Sequence, residues 1–359
     1  MILKVKGVSK SFGSQQVLKP ITFEVGEGER ICILGPSGCG KSTLLQMIAG
    51  LQRIDAGEVE MAGVTVERGG HYIPPENRPI NMVFQDYALW PHMNVKQNME
   101  YGMKRRKLNG HDRARTLDRL QSLLKLEGLL DRLPAQLSGG QQQRVGIARA
   151  LATEPKLLLM DEPLSNLDVK LRTDMRGELA RLLGELSIAT LYVTHDRMEA
   201  FTVADRIMIL RNGAIDQFGE PKELFEWPAS PWVAQLMGYH NRLEAKLSPN
   251  GQPAAILSGS LIGGNLIDTN HGDDGVIIMI HPESIEICSD EAPPEENSLK
   301  VTVMQTVYEG TRWRIIAETA DRQPIHLFHH CSVEAGSERR IRVSPEQTMI
   351  YAESSMLAI

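Results

Sequence analysis

The sequence predicts an α/β domain with an all-helical insertion, followed by a small β-barrel domain. Strand-like apolar runs surround a glycine loop and a helix in the first 88 residues, and helical spacing then dominates from about 88 to 155. After about residue 240, helical periodicity vanishes and short strands recur with turn signals between them. We therefore place the two domains at 1–238 and 239–359, with Gly238 at the boundary.

Length and composition fit a globular protein of two domains. The chain has 359 residues, of which 42% are hydrophobic and 23% are charged, so it can bury a sizeable core in each domain. The net charge of −6 argues against a general polyanion partner, and we expect no nucleic-acid binding. Four scattered cysteines without a C-x-x-C pair fit a reducing cytoplasm: Cys32, Cys39, Cys288 and Cys331.

The N-terminal residues do not read as a secretion signal. Met1–Lys6 alternate like a strand and lack the apolar core of a signal peptide. No apolar run in the sequence approaches the ~18 residues that a helix needs to cross a bilayer. We therefore expect any membrane role to depend on a partner chain.

The strongest motif is a phosphate-binding loop. The pattern G-x-x-x-x-G-K-[ST] follows the strand-like run Arg30–Leu34 and precedes the helical run Leu44–Ala49, which is the context that such a loop requires. Glycines let backbone amides converge on phosphate oxygens, and the helix start adds a partial positive charge. We expect Lys41 to reach the β- and γ-phosphates of ATP and the Ser42 hydroxyl to hold Mg²⁺. The loop residues predicted to bind ATP are Gly35, Pro36, Ser37, Gly38, Cys39, Gly40, Lys41, Ser42 and Thr43.

Two acidic residues end a second apolar strand. Asp161 and Glu162 follow Leu157–Met160, and a carboxylate pair of this kind is the expected partner of a phosphate loop. Asp161 is predicted to hold Mg²⁺, directly or through water, and Glu162 to polarise the water that attacks the γ-phosphate. The alternative is that the two acids only cap the strand.

Two further polar residues follow strands. Gln85 comes after Ile80–Phe84 and is a candidate Mg²⁺ ligand that also touches the attacking water, although a lone glutamine is more often plain surface. His195 comes after Thr190–Thr194 and is placed to donate to the γ-phosphate, although a histidine at a strand end is usually structural. Only the neighbouring motifs favour the catalytic interpretation.

A second helix start has the features of an anion site. Ser138 is placed as an N-cap, and Gly139 and Gly140 leave the first amides of the next helix accessible. An ordinary capped helix would look the same. Two such helix starts in one chain suggest that two copies of the chain share one nucleotide.

Two aromatic features leave alternatives open. Phe12 falls in a turn, where it either stacks on an adenine ring or packs on the sheet, and the residues alone favour packing. Tyr87, Leu89, Trp90 and Pro91 form either a local core or a docking surface for another protein.

A histidine-rich segment lies near the C-terminus. His326, His329, His330 and Cys331 cluster in the sequence, but their spacing matches no standard metal site and strand residues alternate faces. We therefore favour no metal there, and the sequence does not decide the point.

The motifs together resemble the ATP-binding subunit of an ABC transporter. The phosphate loop, Gln85, Leu137–Gln141, Asp161-Glu162, Ser165–Asp168 and His195 occur in that family's order and spacing. The similarity extends to the long import-type subunits with a C-terminal TOBE (OB-fold) domain, such as those for maltose, polyamines and ferric iron. Two departures are His281-Pro282-Glu283, where Arg-Pro-Glu is usual, and the unmatched segment His326–Gly336.

The resemblance implies a fold, a reaction and a set of partners. It implies a P-loop ABC ATPase whose homodimer sandwiches two ATP molecules with Mg²⁺, and in which Phe12 stacks on adenine. It implies two membrane permeases that dock at Tyr87–His92, a periplasmic or extracellular solute-binding protein, and a location on the cytoplasmic face of the inner membrane. Residues implied to reach the nucleotide of the second copy are Ser138, Gly139, Gly140, Gln141 and Asp168.

The cargo does not follow from these motifs. Within the subgroup, ferric iron is the first expectation, followed by polyamines, phosphonates and sugars. A rival class, a soluble ABC-type ATPase acting on ribosomes or DNA, is disfavoured by the single phosphate loop, the absence of a long heptad run in the sequence and the charge of −6. The ligand of the C-terminal domain and the identity of the permease are also left open.

Overall fold

The computed structural model describes residues 1–249, 253–267, 275–288 and 296–352. Contacts within the chain divide it into two compact units, Met1–Pro221 and Lys222–Ile359. This division falls earlier than the expected boundary at Gly238. The reason is that the segment before Gly238 bonds within the second unit, where the Tyr351 hydroxyl donates to the Pro228 carbonyl at 2.7 Å.

The first unit combines two sheets with six helices placed between their strands. Its strands are β1 (Leu3–Phe12), β2 (Gln15–Val25), β3 (Arg30–Leu34), β4 (Ala56–Met61), β5 (Val64–Arg68), β6 (His71–Tyr72), β7 (Ile80–Val83), β8 (Leu157–Asp161), β9 (Ala189–Thr194), β10 (Arg206–Arg211) and β11 (Ala214–Gly219). Its helices are α1 (Lys41–Ala49), α2 (Val95–Arg105), α3 (Gly110–Leu123), α4 (Gly139–Leu151), α5 (Val169–Leu186) and α6 (Arg197–Val203).

The central sheet of this unit is mostly parallel, with strand order β11-β10-β3-β9-β8-β7. Only β11 runs antiparallel to its neighbour. Strands β3 and β8 are almost wholly apolar and every residue of β9 is buried, because both faces of such a sheet are covered by other elements. The carboxyl ends of the five parallel strands therefore meet at one edge, which is where ligands bind in open α/β sheets.

The second sheet is antiparallel, in the order β2-β1-β4-β5-β6, and shares a core with the central sheet. The apolar pattern predicts a single strand at Ala62–Val66, whereas the structure has β4 before this segment and a turn at its first residue. Ala62 and Gly63 have φ of 48° and 81°, so the chain reverses there by a left-handed turn. Hairpin geometry of this kind depends on backbone dihedrals that the apolar pattern does not report.

The C-terminal end of α1 is closed by a buried arginine that the sequence analysis did not single out. Arg78 is 2% exposed and donates to the carbonyls of Met47 and Ile48 at 2.9 and 2.8 Å. Its charge is paired with Glu67 at 2.9 Å, so neither buried ion lacks a counter-charge. The guanidinium thereby fixes the end of the helix that starts at the phosphate loop.

Helices α2, α3 and α4 form the insertion between β7 and β8. Each begins at a side-chain cap, with Asn94, Asn109 and Ser138 accepting from backbone amides of the first turn. The helical spacing of the sequence predicts these helices at Val95–Lys107, Gly110–Leu124 and Gln141–Thr153, and the observed bounds agree to within two residues at either end.

The second unit is strand-rich. Its elements are α7 (Pro221–Glu226), α8 (Pro231–Met237), β12 (Asn241–Leu247), β13 (Ala254–Leu257), β14 (Ser260–Gly263), β15 (Asn265–Leu266), β16 (Gly275–Ile280), β17 (Ile285–Ile287), β18 (Ser298–Tyr308), β19 (Trp313–Thr319), β20 (Pro324–His329), β21 (Glu338–Val343) and β22 (Thr348–Ala352).

These strands form two sheets, in the orders β14-β13-β12-β16-β22-β15 and β17-β21-β18-β19-β20. Alternate residues of both sheets point into one apolar core, which gives the half-barrel architecture expected of an OB-like fold. His281, which stands where the resembling family usually has arginine, lies in this unit. Its ring packs edge-on against the rings of Phe225 and Tyr239, with centroid distances of 5.6 and 5.5 Å. Within the described residues, no helix combines the length and the apolar character that crossing a membrane requires.

Candidate active site

The predicted site residues follow the carboxyl ends of neighbouring parallel strands. Leu34 of β3 lies opposite Thr194 of β9, and Val193 lies opposite Asp161 of β8. The phosphate loop, the carboxylate pair and His195 therefore leave the sheet side by side. The fold thus gathers segments that are more than a hundred residues apart in the chain.

The phosphate loop closes around the Lys41 side chain. Lys41 is 5% exposed, and its ammonium donates to the carbonyls of Gly35 and Pro36 at 2.9 Å each. Gly40, just before α1, has φ of 104°, which only glycine adopts without strain. These bonds hold the ammonium over the loop whose amides are predicted to bind phosphate.

Gly35 allows the loop to approach a neighbouring strand. A Cβ at this position would lie 2.2 Å from the carbonyl oxygen of Leu210 and 2.8 Å from the Cys39 sulfur. Cys39 is buried in the loop, and burial raises the pKa of its thiol, which therefore stays protonated at neutral pH. Cys39 serves the loop as a small packing residue.

Ser42 and Asp161 form an oxygen pair at the start of α1. The Ser42 hydroxyl donates to the Asp161 carboxylate at 2.9 Å across 119 positions in the chain. Burial raises the pKa of Asp161, and the Ser42 hydrogen bond opposes that rise. A hydroxyl and a carboxylate held together in a partly buried place fit the oxygen ligands that Mg²⁺ prefers.

Glu162 faces His195. The His195 Nδ1 lies 3.2 Å from the Glu162 carboxylate, and the Glu162 backbone amide donates to Val193 at 3.0 Å. Glu162 has φ of 44°, a left-handed conformation that is uncommon outside glycine and is often found at functional sites. The turn directs the carboxylate away from the strand and towards the histidine.

Gln85 is joined to the turn after β8. Its side chain is exposed, and its backbone carbonyl accepts from the Asn166 amide at 2.8 Å. Arg172, from the first turn of α5, donates to the carbonyls of Ser165 and Leu167 at 3.1 and 2.9 Å. The turn 165–168 is therefore held from both sides, by Gln85 and by Arg172, of which only Arg172 was not predicted from the sequence.

The residues predicted to act on a second copy form their own group. The Ser138 hydroxyl caps α4 by accepting from the Gln141 amide, and the Gln141 side-chain oxygen accepts from the Ser138 amide at 3.0 Å. Asp168 caps α5 through the Leu171 amide at 2.9 Å. The start of α4 packs against the first turn of α5. A Cβ at Gly140 would lie only 3.3 Å from the Leu171 side chain.

The predicted residues thus divide into two groups. The phosphate loop, Gln85, Asp161, Glu162 and His195 lie along the sheet edge, whereas Ser138–Gln141 and Asp168 lie at two helix starts. In the described part of the chain, no hydrogen bond links the second group to the phosphate loop or to the carboxylate pair. Phe12 ends β1 with 49% of its surface exposed, 5.4 Å from the Lys10 ammonium.

The aromatic cluster after Gln85 is partly a local core and partly accessible, so each of the two interpretations offered by the sequence describes some of its residues. Tyr87 is buried and packs on Gly146 of α4, so it belongs to a local core and is not part of an exposed patch. Trp90 is half-buried, with its ring 4.2 Å from Tyr101 and 4.8 Å from the Arg149 guanidinium. Trp90, Tyr101 and Arg149 border a cleft of about 440 Å³ between β7 and the inserted helices.

The C-terminal histidines are not gathered around one point. Among the residues that the structure describes, no three His, Cys, Asp or Glu side chains are placed to hold a metal ion. The His329 ring instead accepts from the Cys331 amide at 3.2 Å within its own turn.

Fold and site together define a class: a nucleotide-hydrolysing cassette with a phosphate loop at the edge of a parallel sheet. Comparison with known proteins specifies the family. The ABC transporter family matches residues 18–165, and the TOBE domain family matches residues 278–350. The chain therefore belongs to the ABC transporter family, as an importer ATP-binding subunit of the TOBE-containing type, and it is an ATPase.

Its relatives match along nearly the whole chain. The "sn-glycerol-3-phosphate import ATP-binding protein UgpC" of Salmonella choleraesuis is 43% identical over 356 residues, which is 97% of both chains. The "Fe(3+) ions import ATP-binding protein FbpC" of Fusobacterium nucleatum is 34% identical over 355 residues, which is 98% of this chain and 93% of the relative.

Solved structures match the first unit. The ATP-binding cassette MJ0796, described as a dimer in a post-hydrolysis state bound to ADP and Pi, has a TM-score of 0.53 and 31% identity. The match covers 61% of this chain and 99% of the MJ0796 chain. The expected P-loop ABC ATPase fold is confirmed, as is ATP binding.

Proposed function

We propose that this chain powers the uptake of a small solute by hydrolysing ATP on the cytoplasmic face of the inner membrane. The observation that carries the proposal is the Glu162–His195 contact beside the Ser42–Asp161 pair at one sheet edge. A general base, a γ-phosphate partner and an oxygen cradle for a cation are the parts that phosphoryl transfer to water requires.

Each residue receives a role from its place. Lys41 binds the β- and γ-phosphates, because its ammonium is already held over the loop. Ser42, Asp161 and Gln85 hold Mg²⁺, which when bound neutralises phosphate charge. Glu162 accepts a proton from the attacking water, and His195 donates a hydrogen bond to the γ-phosphate while its Nδ1 faces Glu162.

Two copies of the chain complete each site. The two caps at Ser138 and Asp168 make no bond to the chain's own phosphate loop in the described residues, so they are free to meet the nucleotide of the partner. Phe12 stacks on the adenine from an exposed position at the end of β1. The MJ0796 cassette, which is described as dimeric, supports this arrangement.

The cleft beside Trp90 is the proposed contact for two membrane permeases. It offers an aromatic pair, an arginine and a partly apolar wall, a composition that is favoured at protein interfaces. The residues that line it include Met82 and Phe84, and Gln85 follows Phe84 directly in the chain. In this proposal, a displacement of the cleft by a permease is passed through these residues to Gln85 at the nucleotide-binding edge of the sheet. A periplasmic or extracellular solute-binding protein would deliver the cargo to those permeases.

For the cargo, we put sn-glycerol-3-phosphate first, because the relative named for it has the higher identity. Ferric iron, the expectation from sequence, is the second candidate and is supported by the relative of 34% identity. Polyamines, phosphonates and sugars complete the panel.

Uptake assays test the proposal. In cells lacking this chain, we expect uptake of one labelled solute from that panel to be lost and then restored by the wild type but not by Glu162→Gln. The control is Glu154→Gln, because Glu154 is an exposed glutamate on the loop before β8. Unchanged uptake of every solute, with no permease captured by cross-linking from cysteines at 89–92, would overturn the proposal.

A further inference from the structure

A buried carboxylate lies just beyond His195. Glu199, in α6, is 3% exposed, and its carboxylate accepts from the Thr194 hydroxyl at 2.7 Å and from the Tyr192 hydroxyl at 2.9 Å. Both donors belong to β9, the strand that delivers His195. Burying a carboxyl group away from water costs free energy, and its two hydrogen bonds offset that cost.

These bonds fix the peptide that carries His195. The Thr194 oxygen, while donating to Glu199, accepts from the Asp196 amide at 3.0 Å. The Asp196 carboxylate in turn accepts from the amides of Met198 and Glu199 at 2.7 and 3.2 Å. Residues 194 and 196 are therefore both anchored, which fixes the backbone that carries His195.

Burial sets the environment of this carboxyl group. It raises the pKa of Glu199, and the hydrogen bonds from Thr194 and Tyr192 oppose that rise. The Asp196 carboxylate adds to the rise in pKa, and the positive charge of Arg172 opposes it. The two hydroxyl donors of β9 are therefore the contacts that hold the Glu199 side chain in place.

We propose that Glu199 is a positioning residue for hydrolysis: through the Thr194 hydroxyl it fixes the backbone that holds His195 beside Glu162. The proposal rests on the proposed function of His195 and Glu162. The Glu199 side chain does not touch the nucleotide in this proposal.

A double-mutant cycle separates positioning from simple stabilisation. Glu199→Gln keeps the shape of the side chain but offers the two hydroxyls a weaker acceptor and buries an NH2 group. We expect it to lower the single-turnover rate of ATP hydrolysis about tenfold or more, as displacement of a catalytic group does. In the His195→Ala background, the same change should alter the rate less than twofold, because the group that Glu199 positions is gone. The full-length protein is used, with enzyme in excess over labelled ATP, and the Lys41→Ala rate is subtracted as background.

A pair of threonines on β9 supplies a matched control. Thr194 and Thr190 are both buried and both have hydroxyl partners, but only Thr194 bonds to Glu199, whereas Thr190 donates to the Ile188 carbonyl. Thr194→Val should reproduce the loss seen with Glu199→Gln and should not add to it. Thr190→Val should cost comparable thermal stability while keeping the rate within twofold of wild type.

The outcomes are distinguishable. If His195→Ala alone hydrolyses ATP at the wild-type rate, the proposed function of His195 fails and this inference fails with it. If His195→Ala is slow but Glu199→Gln slows both backgrounds equally, only the positioning role is overturned, because an additive loss indicates a structural effect. A Glu199→Gln variant with wild-type rate overturns it as well, and Thr194→Val gives the answer if Glu199→Gln does not fold.

Discussion

The Nδ1 of His195 lies 3.2 Å from the carboxylate of Glu162, although 33 positions separate the two residues in the chain. Each side chain begins where a parallel strand ends, and β8 and β9 are neighbours in the sheet. A base and a hydrogen-bond donor are thereby held on the same edge as the phosphate loop. The predictions below test this edge and the packing that supports it.

Replacing Glu162 by glutamine should separate binding from hydrolysis. Glu162→Gln keeps the shape of the side chain but cannot take a proton, so we expect turnover to fall 10²- to 10⁴-fold, the range for loss of a general base. ATP binding should persist, and the variant should run as a dimer with ATP on gel filtration. Glu154→Gln is the control, and a monomer with bound ATP would contradict the shared site.

Replacing Lys41 should remove nucleotide binding. The Lys41 ammonium supplies the charge that faces the β- and γ-phosphates, so Lys41→Ala should weaken ATP binding by at least tenfold and abolish hydrolysis. Equilibrium binding of a fluorescent ATP analogue measures the loss. Lys19→Ala removes an exposed lysine of β2 and should bind as the wild type does. Unchanged ATPase activity in Lys41→Ala would remove Lys41 from this role.

Phe12 provides a test of adenine stacking. Phe12→Ala should weaken ATP binding by about tenfold, since stacking of a base on an aromatic ring contributes about 1–3 kcal/mol, and Phe12→Trp should restore it. The same titration on Val64→Ala, a side chain of similar exposure, should show no change. If Phe12→Ala and the wild type bind ATP with equal affinity, Phe12 does not stack on the adenine and is only a residue of the turn.

The close approach at Gly35 predicts a steric effect. A methyl group there meets the Leu210 carbonyl oxygen at 2.2 Å, so Gly35→Ala must separate β3 from β10 and should cost about 3 kcal/mol or more. Gly177→Ala is the matched substitution, because nothing lies within 4 Å of its added methyl group in α5. That variant should be more stable by about 0.5–1 kcal/mol. Thermal unfolding of the two variants in parallel decides the question.

The Arg30–Asp205 pair predicts a pH dependence of stability. Burial raises the pKa of Asp205, but the Arg30 side chain and amide donate to the carboxylate at 2.5–3.1 Å and lower its pKa overall. An acid whose pKa is lower in the folded state stabilises the fold above its unfolded pKa of about 3.9, and this stabilisation is lost as pH falls through the folded value.

Asp205→Asn should therefore lower the free energy of unfolding by about 1 kcal/mol at pH 7, a figure discounted for the partial exposure of the pair. The difference from wild type should persist at pH 5 and narrow below about pH 4, as followed by urea unfolding. Glu185→Gln breaks an exposed pair with Arg181 and should change the free energy by less than about 0.5 kcal/mol at any pH. A difference for Asp205→Asn that does not change with pH would contradict the assignment.

Much of the fold follows from local patterns. The runs Arg30–Leu34 and Leu157–Met160 are apolar enough to be buried strands, and the helix bounds of α2 and α4 lie within two residues of those expected. Glycine and capping requirements act over a few residues, so Gly40 and Ser138 indicate a loop and a helix start without knowledge of the rest of the chain.

Other features depend on contacts that no local pattern reports. The sequence left Tyr87 open between a local core and a docking surface, and the structure buries it against Gly146 of α4. Arg78 and Glu199 are charged residues whose burial is compensated by carbonyls of α1 and by hydroxyls of β9, respectively. The unit boundary at 221 likewise reflects where Tyr351 finds its hydrogen-bond partner.

The sequence by itself determined which chemistry the chain carries, because a phosphate loop, a carboxylate pair and a strand-end histidine require particular residue types at fixed spacings. Only the tertiary structure decided which of these groups meet. The strand order β10-β3-β9-β8-β7 is set by packing of apolar faces across the whole unit, and it alone brings Asp161 to Ser42 and Glu162 to His195. The same packing brings the starts of α4 and α5, with their caps Ser138 and Asp168, against each other, because Gly139 and Gly140 leave room for the side chains of Leu167 and Leu171.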